Sequence, residues 1–165
     1  MIFESKSIPY IEPNLWIKSI SIKDTVVTNN LKVQLNPQMN TIIGGRGSGK
    51  SSILKFILGC LYKNEELEKV KNISDNFDEF FNITKNAEYE FTGVLTTDTE
   101  IEIELNRDGI EYKIKCYNFE KNNRSVQYKT DIYSNGEEKK LDVDSKEFIK
   151  MISSNIEIYL QKTCI

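Results

Sequence analysis

Histidine is absent from the 165 residues. That removes imidazole acid–base catalysis, histidine-based triads and histidine metal sites together. Cysteine is scarce: Cys60, Cys116 and Cys164 lie far apart and form no CxxC pair. Neither a disulfide framework nor a zinc site is expected from them, and reduced thiols in a cytoplasmic protein are. No run of about 18 apolar residues occurs, so no membrane-spanning helix is expected. The opening MIFESKSIPYIEPN lacks the basic-then-apolar order of a secretory signal. At 39% hydrophobic and 28% charged residues, the composition excludes collagen, low-complexity disorder and a membrane bundle. The net charge of −3 argues against a globally basic nucleic-acid binder and leaves only a local patch for such a partner.

What is present divides by its periodicity. Residues 15–24, LWIKSISIKD, read as a strand, with Ile17, Ser19 and Ser21 alternating against Lys18, Ile20 and Ile22. Residues 31–35, LKVQL, alternate again. Residues 39–43, MNTII, form a short apolar run ending in glycines, which predicts a strand buried on both faces. A buried helix is predicted from about Lys50 to Tyr62, and helical spacing continues through 64–83. From Ala87 the period becomes two. Tyr89, Phe91 and Val94, then IEIEL (101–105), IEYKIKCY (110–117) and 125–133, describe an antiparallel meander with one wet face. Its hairpin signals are Asp108-Gly109 and Asn135-Gly136. Asp144 to Glu147 fits a capping box ahead of Phe148, Ile149 and Ile152, and IEIYL (156–160) reads as a last strand.

One segment carries chemistry. In Thr41-Ile42-Ile43-Gly44-Gly45-Arg46-Gly47-Ser48-Gly49-Lys50-Ser51-Ser52, the residues Gly44, Gly49, Lys50 and Ser51 satisfy G-x-x-x-x-G-K-[ST]. An apolar run enters this loop and an apolar helix leaves it. Glycines let the backbone take positive φ and approach a phosphate closely. Successive N–H groups then point inward as an anion nest, and the helix adds the positive end of its dipole. Lys50 is expected to reach the β- and γ-phosphates of ATP, and Ser51 to bind Mg²⁺. The plain alternative is a glycine-rich turn with a surface lysine, which would not need four glycines in six residues.

Other parts of familiar phosphate chemistry are missing. The only arginines are Arg46, Arg107 and Arg124, too few for the arginine-rich lid of a small-molecule kinase. No D-x-x-G occurs, and Thr84-Lys85-Asn86-Ala87 lacks the aspartate of a guanine-reading motif. Val94-Leu95-Thr96-Thr97-Asp98 is a poor Walker B and reads as strand plus turn.

The stretch SISIKDTVVTNNLKVQLNPQMNTIIGGRGSGKSSIL (19–54) resembles the start of ABC-type ATPase heads of the SMC, RecF and RecN kind. Its glycine-rich version is most like bacterial ATPases found beside PHP-type phosphoesterase domains or in DNA-repair and phage-defence systems. The resemblance implies an α/β P-loop NTPase fold: an N-terminal lobe with an antiparallel β-subdomain, in one partial head. Its parts would be 15–63 (strands, P-loop and first helix), 64–84 (helical), 87–143 (β-subdomain) and 144–165 (helix, strand and Q-loop-like end). It also implies that residues 44–52 hold Mg–ATP, and that Gln161, after the last strand, is the Q-loop glutamine acting on Mg²⁺ and the attacking water.

The departures shape the functional expectation. The family's signature motif, Walker B, D-loop and switch histidine follow the Q-loop, and none is present here. Tyr133-Ser134-Asn135-Gly136-Glu137 superficially resembles the signature and reads better as a hairpin turn. The family's adenine-side basic residue has no clear match near Lys23 to Val27. The expectation is an ATP-binding half-head, part of a longer ATPase, that hydrolyses ATP only with a further lobe and a second head. A small P-loop phosphotransferase and a non-catalytic interaction module are the alternatives.

Overall fold

The structure is a computed structural model. It describes residues 12–38, 40–43, 45, 47, 49–64, 67, 71–84, 93–122, 125–137 and 140–156. Eight elements follow in chain order: β1 (Leu15–Lys23), β2 (Asn30–Gln34), α1 (Lys50–Cys60), α2 (Lys71–Phe80), β3 (Glu100–Arg107), β4 (Ile110–Asn122), β5 (Ser125–Ser134) and α3 (Ser145–Ile152). The strands form one antiparallel sheet in the order β2-β1-β3-β4-β5. The two leading strands therefore share a sheet with the middle meander, where the sequence suggests a separate β-subdomain.

The register explains the sheet's two faces. Ile20 pairs with Ile103, Ile22 with Ile101, Ile103 with Ile114, and Ile114 with Ile132. These side chains are essentially fully buried and form one apolar stripe across four strands. α1 packs on this stripe against β3, and α3 against β5. Only the second half of α1, Phe56–Cys60, is buried, where helical periodicity suggests burial along its length. Cys60 and Cys116 meet in this layer, and burial pushes the Cys60 thiol up, with a further push from its hydrogen bond to Cys116. Both are packing groups rather than nucleophiles.

Two β-bulges correct the simple alternation. The first lies between Ile17 and Ser19 on β1. It puts Ile17, opposite Leu105, on the same face as Ile20 and Ile22, and sends Lys18 to the wet face, where it pairs with Glu111. The second lies between Tyr117 and Glu120 on β4. Asn118 there takes a left-handed φ of 53°. The extra residue turns Phe119 inward to full burial against Phe81 and Tyr128, and the strand runs on to Asn122 rather than ending at Tyr117. Alternation alone cannot show either inserted residue.

The turns follow their residue chemistry. Asp108 and Gly109 both have positive φ (53° and 81°), as a tight hairpin turn of this type requires. Asn135 and Gly136 do the same (50° and 72°), but no strand of the described residues follows them. Instead the chain folds back, and Leu141 N–H donates to the Ile132 carbonyl at 2.8 Å. Asp144 caps α3, accepting from Glu147 N–H at 3.0 Å. Arg107 Nη1 donates to the Met151 carbonyl at 2.6 Å and so closes the other end of α3.

Three expected elements differ or fall outside. Residues 40–43 form no strand, and Ile43 is 88% exposed. A strand buried on both faces needs neighbours, and no described strand pairs with this segment. Of the stretch 64–83, Lys71–Phe80 form α2 and 81–83 are not helical, while 65, 66 and 68–70 lie outside the described residues. Tyr89, Phe91 and the 157–160 part of the last predicted strand lie outside the described residues; Ile156 is in no regular element.

Gly59 packs directly on Phe81: a Cβ there would lie 2.4 Å from Phe81 Cε2. The Phe81 ring cannot retreat easily, because Phe77 stacks on it at 5.4 Å and Phe119 and Tyr128 meet it edge-on. Gly59→Ala is therefore expected to destabilise the fold by about 1–3 kcal/mol despite alanine's better helix propensity. Urea unfolding measures this; an unchanged or raised midpoint would mean that α1 and Phe81 are not in contact.

Candidate functional site

The glycine-rich loop ends at the exposed, N-terminal half of α1, opposite its anchored half. Gly47 and Gly49 have φ of 81° and 79°. Gly49 is the N-cap of α1, with no side-chain cap, and no acidic residue lies in the first turn. The amides of Ser52 and Ile53 turn back to the Gly49 carbonyl at 3.0 and 3.3 Å. The positive end of the helix dipole is thus left unscreened by protein carboxylates in that turn.

A cavity of about 620 Å³ opens at this helix end. Its loop side is formed by Gly47, Gly49, Lys50, Ser51 and Ser52, and its floor by Ile53 and Phe56. Val27 and Thr28 of the turn between β1 and β2, and Leu31 of β2, complete its lining. The volume falls within the range typical of small-molecule sites. Lys50 Nζ donates to the Gly45 carbonyl at 2.7 Å, so the lysine spans the loop it belongs to. The other lysine of α1, Lys55, faces α2. It donates to the Asn76 carbonyl and lies 4.7 Å from the Phe80 ring centre. Desolvation pulls its pKa down, partly offset by Glu79.

Of the residues singled out in the sequence, the structure brings Gly47, Gly49, Lys50, Ser51 and Ser52 to one cavity, and Gly45 to Lys50. Gly44, Arg46, Ser48 and Gln161 lie outside the described residues. Near Lys23 to Val27, where the resemblance expects a basic residue, the cavity is lined instead by Val27, with Thr28 and Leu31 beyond it. These residues lie about twenty positions before the loop and carry no motif; only the sheet register, which sets β1 against β2, places them there.

The donor set fits a triphosphate with Mg²⁺. Lys50 supplies positive charge, the loop can supply N–H groups, and Ser51 supplies one hydroxyl. Mg²⁺ commonly takes few protein ligands beside substrate phosphates and water. Among the described residues, no group of three or more cysteine or carboxylate side chains could hold a metal on its own. The lining described here also contains no carboxylate. The arrangement can bind and orient a polyphosphate, but it offers no described base to activate water.

The fold is a mixed α/β domain with a five-stranded antiparallel sheet and a glycine-rich loop at the start of α1. The family model described as the AAA domain matches residues 19–163, and the chain belongs to that family of nucleotide-binding, ATPase-like domains. A comparison with curated proteins finds no match. No helix among the described residues is long and apolar enough to cross a membrane.

A Cβ at Gly49 would meet nothing within 4 Å, so the demand for glycine there is conformational and not steric. Gly49→Ala is expected to cost about 1–2 kcal/mol, the penalty for holding a non-glycine residue at left-handed φ. The urea midpoint should fall accordingly; no change would mean that the loop adopts a different backbone.

Proposed function

We propose that this domain binds Mg–ATP through residues 44–52 as the N-terminal part of an SMC/RecF-like ATPase head. Hydrolysis would be completed by a further lobe and a second head that joins it on ATP binding. One observation carries the proposal: Lys50, Ser51 and the left-handed glycines Gly47 and Gly49 line a single cavity at the uncapped start of α1. Lys50 would neutralise the β- and γ-phosphates and Ser51 would hold Mg²⁺. Gln161 is proposed as the residue that positions the attacking water beside Mg²⁺. A role in DNA repair or phage defence rests on the resemblance of residues 19–54 alone.

Two features support a division of labour between lobes. The described lining has no carboxylate. A second groove of about 400 Å³ runs along α1, lined by Leu15, Trp16, Ile42, Leu54 and Ile57 together with the amide side chains of Asn36, Gln38, Asn40 and Asn155. Trp16 Nε1 is buried without a described partner, and Ile43 stands 88% exposed nearby in sequence. Apolar surface of this kind suits a packing partner. Direct nucleic-acid binding draws little support from the wet sheet face, where Lys18, Lys113 and Lys115 pair with Glu111, Glu102, Glu104 and Glu100.

Calorimetric titration of Mg–ATP, with phosphate release followed in parallel, tests the proposal. Saturable binding without sustained turnover is expected. Lys50→Ala should weaken it at least tenfold, since charge-assisted hydrogen bonds contribute about 1.5–3 kcal/mol each. Unchanged affinity in the variant would sink the phosphate-site assignment. Sustained turnover by the chain alone would favour a self-sufficient phosphotransferase. A folded protein that binds no nucleotide would leave the interaction module.

A further inference from the structure

β5 is an edge of the sheet, and its two halves differ in what covers them. Along the second half, the chain returning from Asn135-Gly136 caps the strand. Leu141 N–H donates to the Ile132 carbonyl at 2.8 Å, and Ser145 Oγ donates to the Thr130 carbonyl at 3.1 Å. The even-numbered residues of β5 therefore turn their main-chain groups away from β4, and the period of two carries this back to Tyr128 and Val126. Among the described residues, nothing meets the outward amides and carbonyls of these two. An edge of this kind is a template for one more strand.

Beside that open stretch lies a cavity of about 400 Å³. Val126 and Tyr128 line it from the sheet, and Tyr62, Phe77 and Phe81 from the ends of α1 and α2. The tyrosines are held in place. Tyr128 donates to the Gly59 carbonyl at 2.8 Å, the Tyr62 hydroxyl lies 3.3 Å from Thr130 Oγ1, and the two rings stack at 5.7 Å. They offer ring surface to the cavity while their hydroxyls are used elsewhere. The polar lining is Asn64, Asn82 and Ser125, with Asp78 and Lys146, whose opposite charges cancel. Walls of this kind suit a neutral aromatic side chain.

A strand laid along Val126 and Tyr128 would send alternate side chains to the cavity side and to the wet face. Its neighbours on the wet face would be Gln127 and Lys129, both exposed. Lys18, Lys113 and Lys115 on that face are paired with carboxylates. Lys129 has no ion pair among the described residues. A carboxylate set across from it would form a favourable cross-strand pair, and a second lysine there would be repelled.

We infer that the first half of β5 accepts an added strand from a partner protein: an extended segment that alternates acidic residues, set beside Lys129, with apolar ones, of which an aromatic enters the cavity between Tyr62, Phe77, Phe81 and Tyr128.

The probe is a short labelled peptide in which glutamate alternates with valine around one central phenylalanine, and its binding is followed by fluorescence anisotropy. Saturable binding to the wild-type chain is expected. Val126→Pro should weaken it at least tenfold, because main-chain bonds carry strand addition. Val126 N–H lies outside the β4–β5 ladder, so proline there should leave the urea midpoint near the wild-type value. Lys129→Glu should weaken binding about threefold, and Lys32→Glu, on the opposite edge strand β2, should leave it within about twofold. If Val126→Pro lowers the midpoint, the comparison of Lys129→Glu with Lys32→Glu decides alone. The inference is overturned if the folded wild type does not bind the peptide, or if a folded Val126→Pro binds it equally well. Equal weakening by Lys129→Glu and Lys32→Glu would overturn it too, since the peptide would then follow net charge. So would a wild-type dimer that Val126→Pro returns to monomer, because a second copy would then cover the edge. None of these outcomes depends on whether the loop at Lys50 holds a polyphosphate.

Discussion

Everything at the site depends on how α1 is held. Its second half is buried on the isoleucine stripe, with Phe56, Ile57, Leu58 and Cys60 almost fully enclosed. Gly59 lets the helix approach Phe81 more closely than any side chain would allow. Tyr128 adds a hydrogen bond to the Gly59 carbonyl at 2.8 Å. The first half, by contrast, carries Ser51 in the open and Ser52, Ile53 and Leu54 only half covered. A helix is stiff over three turns, so clamping its C-terminal half aims its N-terminal half without burying it. The binding end therefore needs no core of its own, and the loop is free to place glycines where a packed site would need side chains.

The same division accounts for what could be read from the sequence. Features encoded within a few residues were legible. The left-handed glycines Gly47 and Gly49 ahead of α1, the Asp108-Gly109 and Asn135-Gly136 turns and the Asp144 cap each have a local physical cause, and the described residues show it. Features that depend on distant partners were not. The bulge at Asn118 reverses the facing of Phe119, and nothing in IEYKIKCYNF announces the extra residue. The bulge at Lys18 likewise joins Ile17 to the face of Ile20, against the strict alternation of the sequence. Residues 39–43 look like a buried strand because they are apolar, yet apolarity states only a need for cover. Within the described residues that need goes unmet, as Ile43 shows.

The two faces of the sheet also separate two kinds of stability. The inner face is stabilised by burial of isoleucine, leucine and aromatic side chains, which is non-directional and tolerant of salt. The outer face sets Glu102 and Glu104 beside Lys113, and Glu100 beside Lys115, as cross-strand pairs. Such exposed pairs contribute little each, on the order of 0–1 kcal/mol. Their larger effect is on register, since a one-residue slip would bring carboxylates to the core face. Pairing also removes the single-sign patch that a phosphate backbone would need. A long, lysine-bearing sheet face can thus carry balanced charge while the cavity at Lys50 is lined by a lysine and no described carboxylate.

The site itself is assembled from a local part and a remote part. The glycine loop comes from one short sequence and is readable there. The β1–β2 turn on the same cavity is pinned by Thr96 and Thr99, residues some seventy positions further along the chain. Those threonines immediately precede β3, the strand that pairs with β1 and packs under α1. The wall and the loop are therefore held to a common strand by different means, the wall through hydroxyl–carbonyl bonds and the loop through α1. Any force that tilts α1 relative to β3 would change the distance between the glycine loop and the β1–β2 turn. A lobe that packs in the groove beside Ile53, Leu54 and Ile57 would exert such a force. A partner docked there would thus be coupled to any ligand at the Lys50 cavity through one helix, with no residue needed that touches both.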